Sequence, residues 1–402
     1  MPKIEIKEVD NTGERKPEYN DYVVLVPGTD KFGNVKITTA LFDSVDTFVK
    51  DVPVAKEATP SEGWKITKLL LSQGMKVQYV SYEAGHLKEV FKQFTDKGKY
   101  DLRFITTGGA SKGELTADVC REAVWCAAER GDAVALIDYA SGETGASEIE
   151  AEKHAASIFD SKQSEDLTKD HFINSLDEPV SKYATDTGTW VTLKDLDVRV
   201  PGSVHYLLCF NESIKRYPDW FAAAGAQRGV CPLTVKSADL EFGDAEINYL
   251  QSRTYDKNKG DFYAINPIAQ IRPYGYLYFG NRTMFPLTAE NPELVASSFL
   301  NIRHLAIDIK KKLYRVCRQF TFEPNSDVLW VNFQNAIKPL LEEMRTAQGI
   351  RGYRLIKEKT PEKATLKALI QIVPIEAVED FKLTVELTDS ISSDSVIVTE
   401  GV

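Results

Sequence analysis

Helix-like and strand-like segments alternate through the first part of the chain, and this alternation limits the possible folds more than any other feature. Helical and strand patterns follow one another in that order at residues 64–73, 76–82, 85–94, 100–107, 113–130 and 132–140. Strands separated by helices indicate a largely parallel sheet with helices on its faces. The apolar stretch VHYLLCF, residues 204–210, predicts one further core strand.

The last third of the chain has a different pattern. Residues 291–320 predict one or two long helices, because apolar side chains recur there at near-helical spacing. A second helical pattern covers 328–349 and is closed by Gly349. The alternating segments 366–374 and 380–389 predict strands. We therefore expect an α+β domain with an antiparallel sheet.

Both ends of the chain carry a short strand-like segment beside a polar stretch. Residues 3–9, KIEIKEV, alternate apolar and polar, and a polar stretch separates them from 22–28. Polar residues 392–395 precede four β-branched residues, 396–399, which favour an extended strand. Because termini usually fray unless something holds them, the two ends predict matching strands on polar tethers.

Length and composition exclude several classes of protein. A chain of 402 residues is too long for one ordinary core, so we expect two or three domains. Hydrophobic residues make up 43% and charged residues 27%, as in a soluble globular protein. Neither a membrane helix nor a signal peptide is recognisable, which predicts a cytoplasmic protein. The net charge of −10 argues against general binding of nucleic acid.

The cysteines and histidines form no metal-ligand motif. The five histidines show neither HxH nor HExxH spacing, and the five cysteines show no CxxC. Buried, reduced thiols are favoured over zinc or a disulfide framework; the cysteines are Cys120, Cys126, Cys209, Cys231 and Cys317. We therefore expect no metal and no cofactor.

Two features leave an enzyme open as the alternative. The turn between Gly108 and Gly113 allows a nucleotide-binding α/β enzyme, because helix N-termini attract phosphate. These glycines fit neither GxGxxG nor GxxxxGK[ST], so ordinary turn chemistry is favoured. Asp138 ends a predicted strand, where doubly wound enzymes often place catalytic carboxylates. No partner lies at a suggestive spacing, and we predict no catalytic residue.

Aromatic residues are concentrated in two segments, 216–221 and 271–285. Such clusters occur on carbohydrate-binding surfaces, but buried aromatics are the favoured interpretation here.

One segment is basic in an otherwise acidic chain. Residues 303–318 hold six basic residues and one acidic residue, Asp308. Lys311, Arg315 and Arg318 have the i, i+4, i+7 spacing of one helix face. A solvated helix face and a surface for an acidic partner both explain the pattern.

Several stretches, in chain order, together resemble one family. GYLYFGNRTM (275–284) is the most specific, and YPDWFAAAGAQRGV (217–230) precedes it. Downstream lie a helical stretch that ends in a glycine (320–355) and a closing pair of strands (369–387). They resemble the tail sheath proteins of contractile-tailed bacteriophages and related contractile injection particles. The matched signature residues are Arg228, Gly229, Gly280, Arg282 and Thr283.

The resemblance is strong over about 217–389 and weaker over 21–140. Two departures fall at positions expected to be buried. Residues 222–225 read AAAG where family members often have APAG, and Phe279 stands where many have Trp.

The resemblance implies a fold and a domain order. It predicts an α+β inner domain, with long helices on an antiparallel sheet completed by strands from neighbouring subunits, and an α/β outer insertion domain. The expected divisions are a strand arm and start of the inner domain at 1–28, the outer insertion at 29–270 with its α/β core at about 64–140 and 204–210, the inner sheath domain at 271–390, and a C-terminal strand arm at 391–402.

The resemblance also implies a structural function without catalysis. Family members polymerise as stacked six-fold rings around a tail tube and contract irreversibly, which drives the tube through the target cell envelope. The expected partners are other copies of the chain, the tail tube protein, and baseplate and tail terminator proteins, with no direct nucleic-acid binding or membrane insertion. The expected location is the virion tail, assembled in the host cytoplasm.

Three groups of residues are expected to carry the assembly. The strand arms that add to a neighbour's sheet are Ile4, Ile6, Val9, Val396, Ile397, Val398 and Thr399. The acceptor sheet is expected at Leu369, Ile370, Ile372, Leu383, Val385 and Leu387. The tube-facing basic helix is expected to present Arg303, Lys310, Lys311, Arg315 and Arg318.

Overall fold

A six-stranded, mostly parallel sheet forms the centre of the computed structural model. The structure describes residues 22–31, 37–110, 115–138, 158–159, 173–175, 178–194, 196, 198–258, 260–359, 361 and 365–377. The strands are β1 (Val23–Gly28), β2 (Ile37–Phe42), β3 (Lys76–Tyr82), β4 (Phe104–Thr106), β5 (Val134–Asp138) and β6 (Ala184–Thr187). Their order is β2-β3-β1-β4-β5-β6, and only β2 is antiparallel to its neighbour. The predicted parallel sheet is confirmed.

Helices cover both faces of this sheet, so each face has its own apolar core. The helices are α1 (Val45–Asp51), α2 (Glu62–Ser72), α3 (Leu87–Lys92), α4 (Ala117–Arg130) and α5 (Gly202–Ile214). Side chains of α3 and α4 pack on one face. Side chains of α1, α2 and α5 pack on the other. This arrangement is a doubly wound α/β unit.

The predicted strand at 204–210 is wrong, because these residues lie within helix α5. Every residue from Gly202 to Phe210 is buried. A helix that is buried on all sides shows a continuous apolar run, which periodicity cannot distinguish from a buried strand. Two local features begin the helix. Pro201 lies directly before it, and the backbone N–H of Ser203 donates to the Asp138 carboxylate.

Small antiparallel sheets and short helices connect this unit to the rest of the chain. One sheet contains β7 (Val191–Leu193), β8 (Val198–Val200) and β9 (Val235–Ala238) in the order β8-β7-β9. A hairpin joins β10 (Ile268–Ile271) to β11 (Gly275–Tyr278). The short helices are α6 (Gly225–Arg228) and α7 (Asp244–Leu250).

The C-terminal part contains two long helices and a hairpin. The elements are α8 (Leu300–Gln319), α9 (Asp327–Thr346), β12 (Ile350–Glu358) and β13 (Lys367–Pro374). The predicted helix at 328–349 and the strand at 366–374 are confirmed. The predicted helical segment 291–320 is confirmed from Leu300 onward, but residues 291–299 are not α-helical. The strand predicted at 380–389 lies outside the described residues, and β13 pairs antiparallel with β12. No helix in the described ranges is long and apolar enough to span a membrane.

Helix α8 belongs to both parts of the molecule. Its Leu300 and Ile307 pack in the core on the α5 face of the sheet. Its Leu305 and Ile309 pack in the C-terminal core with α9. The two parts therefore share one rigid helix.

The position of β1 corrects the expected domain division at residue 28. β1 lies between β3 and β4, where Val24 pairs with Val77 on one side and with Phe104 on the other. Residues 23–28 therefore belong to the α/β sheet rather than to the unit formed by 271–390.

Candidate assembly surfaces and the signature junction

We call the signature residues the signature junction (Arg228, Gly229, Gly280, Arg282 and Thr283). Gly229, Arg282 and Thr283 are buried, and Arg228 and Gly280 are half-buried. The Tyr278 backbone N–H donates to the Gly229 carbonyl oxygen at 2.8 Å, which joins β11 to the residue after α6. A Cβ atom on Gly229 would lie 2.4 Å from the Tyr278 carbonyl oxygen. Only glycine permits this close approach of the two backbones.

Asn266 holds the second glycine of the junction. A Cβ atom on Gly280 would lie 2.3 Å from the Asn266 Oδ1 atom. The fully buried Asn266 amide donates to Thr185 Oγ1 at 2.7 Å and to the Arg282 carbonyl oxygen at 2.9 Å. Its Oδ1 accepts from the Arg282 backbone N–H at 2.9 Å. One side chain thus ties β6 to the segment after β11.

Arg282 and Thr283 connect the junction to the start of α8. The Arg282 guanidinium, 1% exposed, lies over the Phe299 ring at 4.9 Å. The Thr283 hydroxyl donates to the Ser297 carbonyl oxygen at 2.6 Å. Arg228 donates from Nε to the Ala222 carbonyl oxygen at 2.8 Å. The junction therefore positions β6, β11 and α8 relative to one another, which is a structural task.

The structure divides the basic segment of α8 into a packed half and an exposed half. Arg303 is 6% exposed and lies over the Tyr183 ring at 4.6 Å, so its predicted outward position is wrong. Lys310 Nζ donates to Tyr183 Oη at 2.7 Å, and Lys311 Nζ donates to Asp101 Oδ1 at 2.6 Å. These three side chains join α8 to the α/β unit. Arg315 and Arg318 are exposed.

Glu178 is the acidic counterpart of the packed half. Burial opposes its ionisation, but hydrogen bonds from Tyr183 and Lys182 and the charge of Lys310 lower the pKa of Glu178 to about 2. Burial lowers the pKa of Lys310, and the Glu178 charge opposes that shift. The Glu178 carboxylate lies 3.6 Å from Lys310 Nζ, so Lys310 has an acidic partner within the chain. Its charge is therefore not simply free for an outside partner.

A buried polar network attaches α8 to the sheet from inside. Arg103, 1% exposed, contacts the Asp219 Oδ2 atom through Nη2 at 2.6 Å. The same nitrogen lies 3.2 Å from His304 Nδ1, and His304 Nε2 lies 2.7 Å from Tyr206 Oη. Because a guanidinium only donates, Nδ1 of the imidazole accepts and Nε2 carries the proton. Burial and the charges of Arg103 and Arg303 lower the pKa of His304 well below its usual value.

The acceptor-sheet residues that the structure describes lie on β13, on opposite faces. Ile370 and Ile372 pack toward the C-terminal core. Leu369 is 40% exposed on the other face, together with Val373. Within the described residues, β12 and β13 pair only with each other, so each has one edge without a strand neighbour. Leu383, Val385 and Leu387 and all the strand-arm residues lie outside the described residues.

The glycine turn lies only partly within the described residues, and its described part is closely packed. Gly108 and Gly109 have left-handed φ values of +67° and +64°. A Cβ atom on Gly108 would lie 2.0 Å from the Pro27 carbonyl oxygen, which shows that backbone fills the space between β1 and β4. The Asp30 carboxylate accepts from the Ser61 backbone N–H at 3.1 Å, so a negative charge already lies at the α2 N-terminus. Gly113 lies outside the described residues.

Asp138 serves as a cap for α5. It accepts from the Ser203 backbone N–H at 2.7 Å and from the Ser203 hydroxyl at 2.5 Å. Burial raises the pKa of Asp138 to about 7, although the two Ser203 hydrogen bonds lower it. This contact joins the end of β5 to the first turn of α5, and it explains why a carboxylate ends that strand.

The aromatic segments and the cysteines are partly buried and partly exposed. Trp220 and Tyr278 are buried, as expected, whereas Tyr217 and Tyr274 are exposed. Four cysteines are buried, and the expectation is wrong for Cys317, which is exposed on α8.

The assembled fold is that of contractile sheath proteins, and the resemblance seen in the sequence is confirmed at that level. One similar structure is the sheath of an extracellular contractile injection system, PVC, in its contracted state. It has 14% sequence identity and a TM-score of 0.65, and the match covers 97% of this chain and 98% of that chain.

The helical sheath of the anti-feeding prophage in its contracted state is similar over 97% of this chain and 99% of that chain, with 13% identity and a TM-score of 0.61. A sheath tail protein from Desulfitobacterium hafniense is similar over 93% and 100% of the two chains, with 8% identity and a TM-score of 0.51. Neither a protein-family model nor a curated protein matches the sequence. At these identities the likeness concerns the fold.

Proposed function

We propose that this chain is a sheath subunit of a contractile tail or contractile injection system, and that it has no catalytic activity. The observation that carries the proposal is the extent of the fold match, which covers 97% of this chain and 98% of the PVC sheath chain. A fold match over nearly all of both chains is more informative than a match over an α/β unit alone, because α/β units occur in proteins of many functions.

In this proposal the subunits form stacked six-fold rings around a tail tube. A chain in the six-fold symmetrised baseplate of the anti-feeding prophage is similar, with a TM-score of 0.63 over 96% of this chain. Residues 271–390 would form the inner sheath wall, and the α/β unit would lie outside it. Baseplate and tail terminator proteins would contact the two ends of the cylinder.

Strand exchange would link the subunits. Among the residues that the structure describes, β12 and β13 each have one edge without a strand neighbour. Such an edge can accept an extended segment, because its main-chain hydrogen bonds are unsatisfied. The strand-like segments 3–9 and 396–399, on their polar tethers, are suitable donors. A donor and an acceptor on different surfaces of one chain make a heterologous contact, which propagates as an open helical lattice.

Contraction requires two packings of rigid subunits, of which the second has the lower free energy. Helix α8 supports such rigid-body motion, since its side chains belong to two cores and hold the C-terminal part firmly to the α/β unit. The exposed Arg315 and Arg318 are the remaining candidates for weak, screened contact with an acidic tube. The contracted sheath would drive the tube through the target envelope, and the assembly would lie in the virion tail or injection particle.

Negative-stain electron microscopy of the concentrated, purified protein tests this function. We expect tubes or stacked six-fold rings. Discrete small particles, together with a rise in Tm on adding a nucleotide, would instead support an α/β enzyme that uses the Gly108–Gly113 turn.

A further inference from the structure

Two cysteines meet next to the signature junction. Cys209 lies on α5, and Cys231 lies shortly after α6. Both pack in the apolar core on the α5 face of the sheet. Cys209 Sγ lies 3.4 Å from the Gly229 carbonyl oxygen, two residues before Cys231. The Cys231 sulfur is also within hydrogen-bonding reach of the Cys209 thiol, so the two sulfur atoms are neighbours.

The two thiols have different surroundings. Cys209 is 1% exposed and Cys231 is 8% exposed, so a small solute reaches Cys231 more easily. The hydrogen bond from Cys209 lowers the pKa of the Cys231 thiol, although burial opposes this shift. Burial, together with the hydrogen bond to Cys231, raises the pKa of Cys209 well above its usual value. Cys231 is therefore the more accessible thiol of the pair, and we assign it as the attacking group, in the thiolate form that is reactive.

We propose that Cys209 and Cys231 are a redox-sensitive pair that forms an intramolecular disulfide on contact with a peroxide. The Cys231 thiolate attacks one oxygen of hydrogen peroxide; an S–O bond forms, the O–O bond breaks, and the leaving hydroxide takes up a proton to become water. The Cys209 sulfur then attacks the sulfenic sulfur; an S–S bond forms, the S–O bond breaks, and the leaving hydroxide takes the Cys209 proton. Two thiols lose two electrons, and one peroxide becomes two waters.

The cross-link acts on the segment that holds β11. Gly229 accepts the Tyr278 backbone N–H at 2.8 Å, and a disulfide at Cys231 would fasten that segment to α5. The bond restricts the unfolded chain between residues 209 and 231, which stabilises the fold. It would form whether or not the chain assembles as a sheath.

Peptide mapping of the full chain tests the proposal. The reduced protein is treated with hydrogen peroxide, remaining thiols are blocked with N-ethylmaleimide, and trypsin digestion is followed by mass spectrometry. Cleavage after Arg199, Lys215, Arg228 and Lys236 releases Cys209 within peptide 200–215 and Cys231 within peptide 229–236. We expect these two peptides to be joined by a disulfide in the oxidised sample and separate in the reduced one.

Serine variants identify the order of the steps. Cys209→Ser should leave Cys231 as a sulfenic acid that dimedone traps, and Cys231→Ser should abolish the linked peptide. Cys126→Ser on α4 is the matched control, since it removes another buried thiol and should keep the link. Oxidation should raise Tm in the wild type and in Cys126→Ser but not in Cys231→Ser.

Two results would overturn the proposal. One is recovery of peptides 200–215 and 229–236 as separately alkylated species after oxidation is complete. The other is a disulfide that joins Cys317 of two molecules while Cys209 and Cys231 stay reduced. If Cys231→Ser does not fold, the wild type and Cys126→Ser still decide the question by mapping alone.

Discussion

Single buried side chains at the carboxyl edge of the six-stranded sheet hold separate elements together. Asp138 bonds the first turn of α5, and Asn266 bonds β6 and the segment after β11. Each satisfies backbone groups that would otherwise be buried without partners, which is costly in a protein interior. A polar residue at these positions is therefore a structural requirement and needs no catalytic explanation.

The Asp138 carboxyl predicts a pH dependence of stability. Its pKa is about 7 in the folded protein, against an ordinary value of 3.8, so the folded state keeps a proton that the unfolded state releases. The contribution of Asp138 to the free energy of unfolding should therefore fall as pH rises from about 4 to about 7, by at most about 1.4 kcal/mol per pH unit. Burial and the Asp138 charge raise the pKa of neighbouring Asp186, which adds to the slope with the same sign. Burial lowers the pKa of His205 and His304, so these two side chains contribute a slope of the opposite sign below their ordinary pKa of 6.5.

Asp138→Asn keeps the cap, because an amide oxygen can accept from the Ser203 N–H, but it removes the titration. In urea unfolding, the change in unfolding free energy from pH 4 to pH 7 should be less negative (or more positive) in the variant than in the wild type. Equal changes in the two proteins would contradict the assignment of this titration to Asp138.

At the scale of elements, α8 determines how the two parts of the chain are joined. Its N-terminal half carries Arg303 and His304 into the interior, and its middle carries Lys310 and Lys311 to acidic and aromatic partners of the α/β unit. At the C-terminal end of the helix, Val316 still packs on the C-terminal core, whereas Arg315 and Arg318 are exposed. The helix therefore packs along its whole length and presents a basic surface only at this end.

Removing Arg103 should destabilise the attachment of α8. Arg103→Met leaves the Asp219 carboxylate buried without its cation, and burial already raises the pKa of Asp219 to about 6. Loss of one partner of a buried ion pair costs about 3–5 kcal/mol. The matched control is Arg199→Met, which breaks the exposed pair with Asp239 and should cost about 1 kcal/mol or less. Similar losses of unfolding free energy in both variants would contradict the structural role of the network.

The exposed end of α8 can be tested separately from its packed part. Arg315→Glu with Arg318→Glu should leave Tm unchanged but weaken co-sedimentation with an acidic tail tube protein, more strongly at low salt. Lys311→Glu should instead lower Tm, because it breaks the contact with Asp101. Lys338→Glu, exposed on α9, controls for a general loss of positive charge. Undiminished tube binding by the double variant would exclude this end of α8 as the tube contact.

At the scale of the whole molecule, a sheath subunit must first fold and then join other subunits, and we expect different residues to serve these two steps. The described residues contain three substantial apolar cores. As the described residues form them, these cores include the sheet with its helices and the C-terminal unit, and none of them uses residues 1–21 or 378–402. A chain of this kind should fold without its arms and should need them only to join its neighbours.

Deletion of residues 1–10 or of 393–402 tests that separation. Either truncated protein should stay folded, with the Tm of the full chain, and should form no stable tubes in electron micrographs. The full-length protein prepared in parallel is the control. Contractile sheaths assembled from either truncation would exclude strand exchange through that arm.

Local sequence patterns determined the alternation of helices and strands, and the two long helices near the C-terminus. The two long helices bury one face, so their apolar residues recur at the period of a helix. The central strands are buried on both faces and appear as short continuous apolar runs. The signature glycines were also recognisable from sequence through the family resemblance, but their close contacts with Tyr278 and Asn266 were visible only in the fold.

Tertiary structure alone decided the features that depend on contacts between distant residues. Helix α5 lost its periodic signal because it is buried on all sides. Three further features join positions that are separated in the chain. They are the central place of β1, the ion pair between Arg103 and Asp219, and the contact between Cys209 and Cys231. Tertiary packing also determined which basic residues of α8 are packed and which are exposed. A charge pattern in the sequence does not specify which charged side chains form ion pairs within the fold.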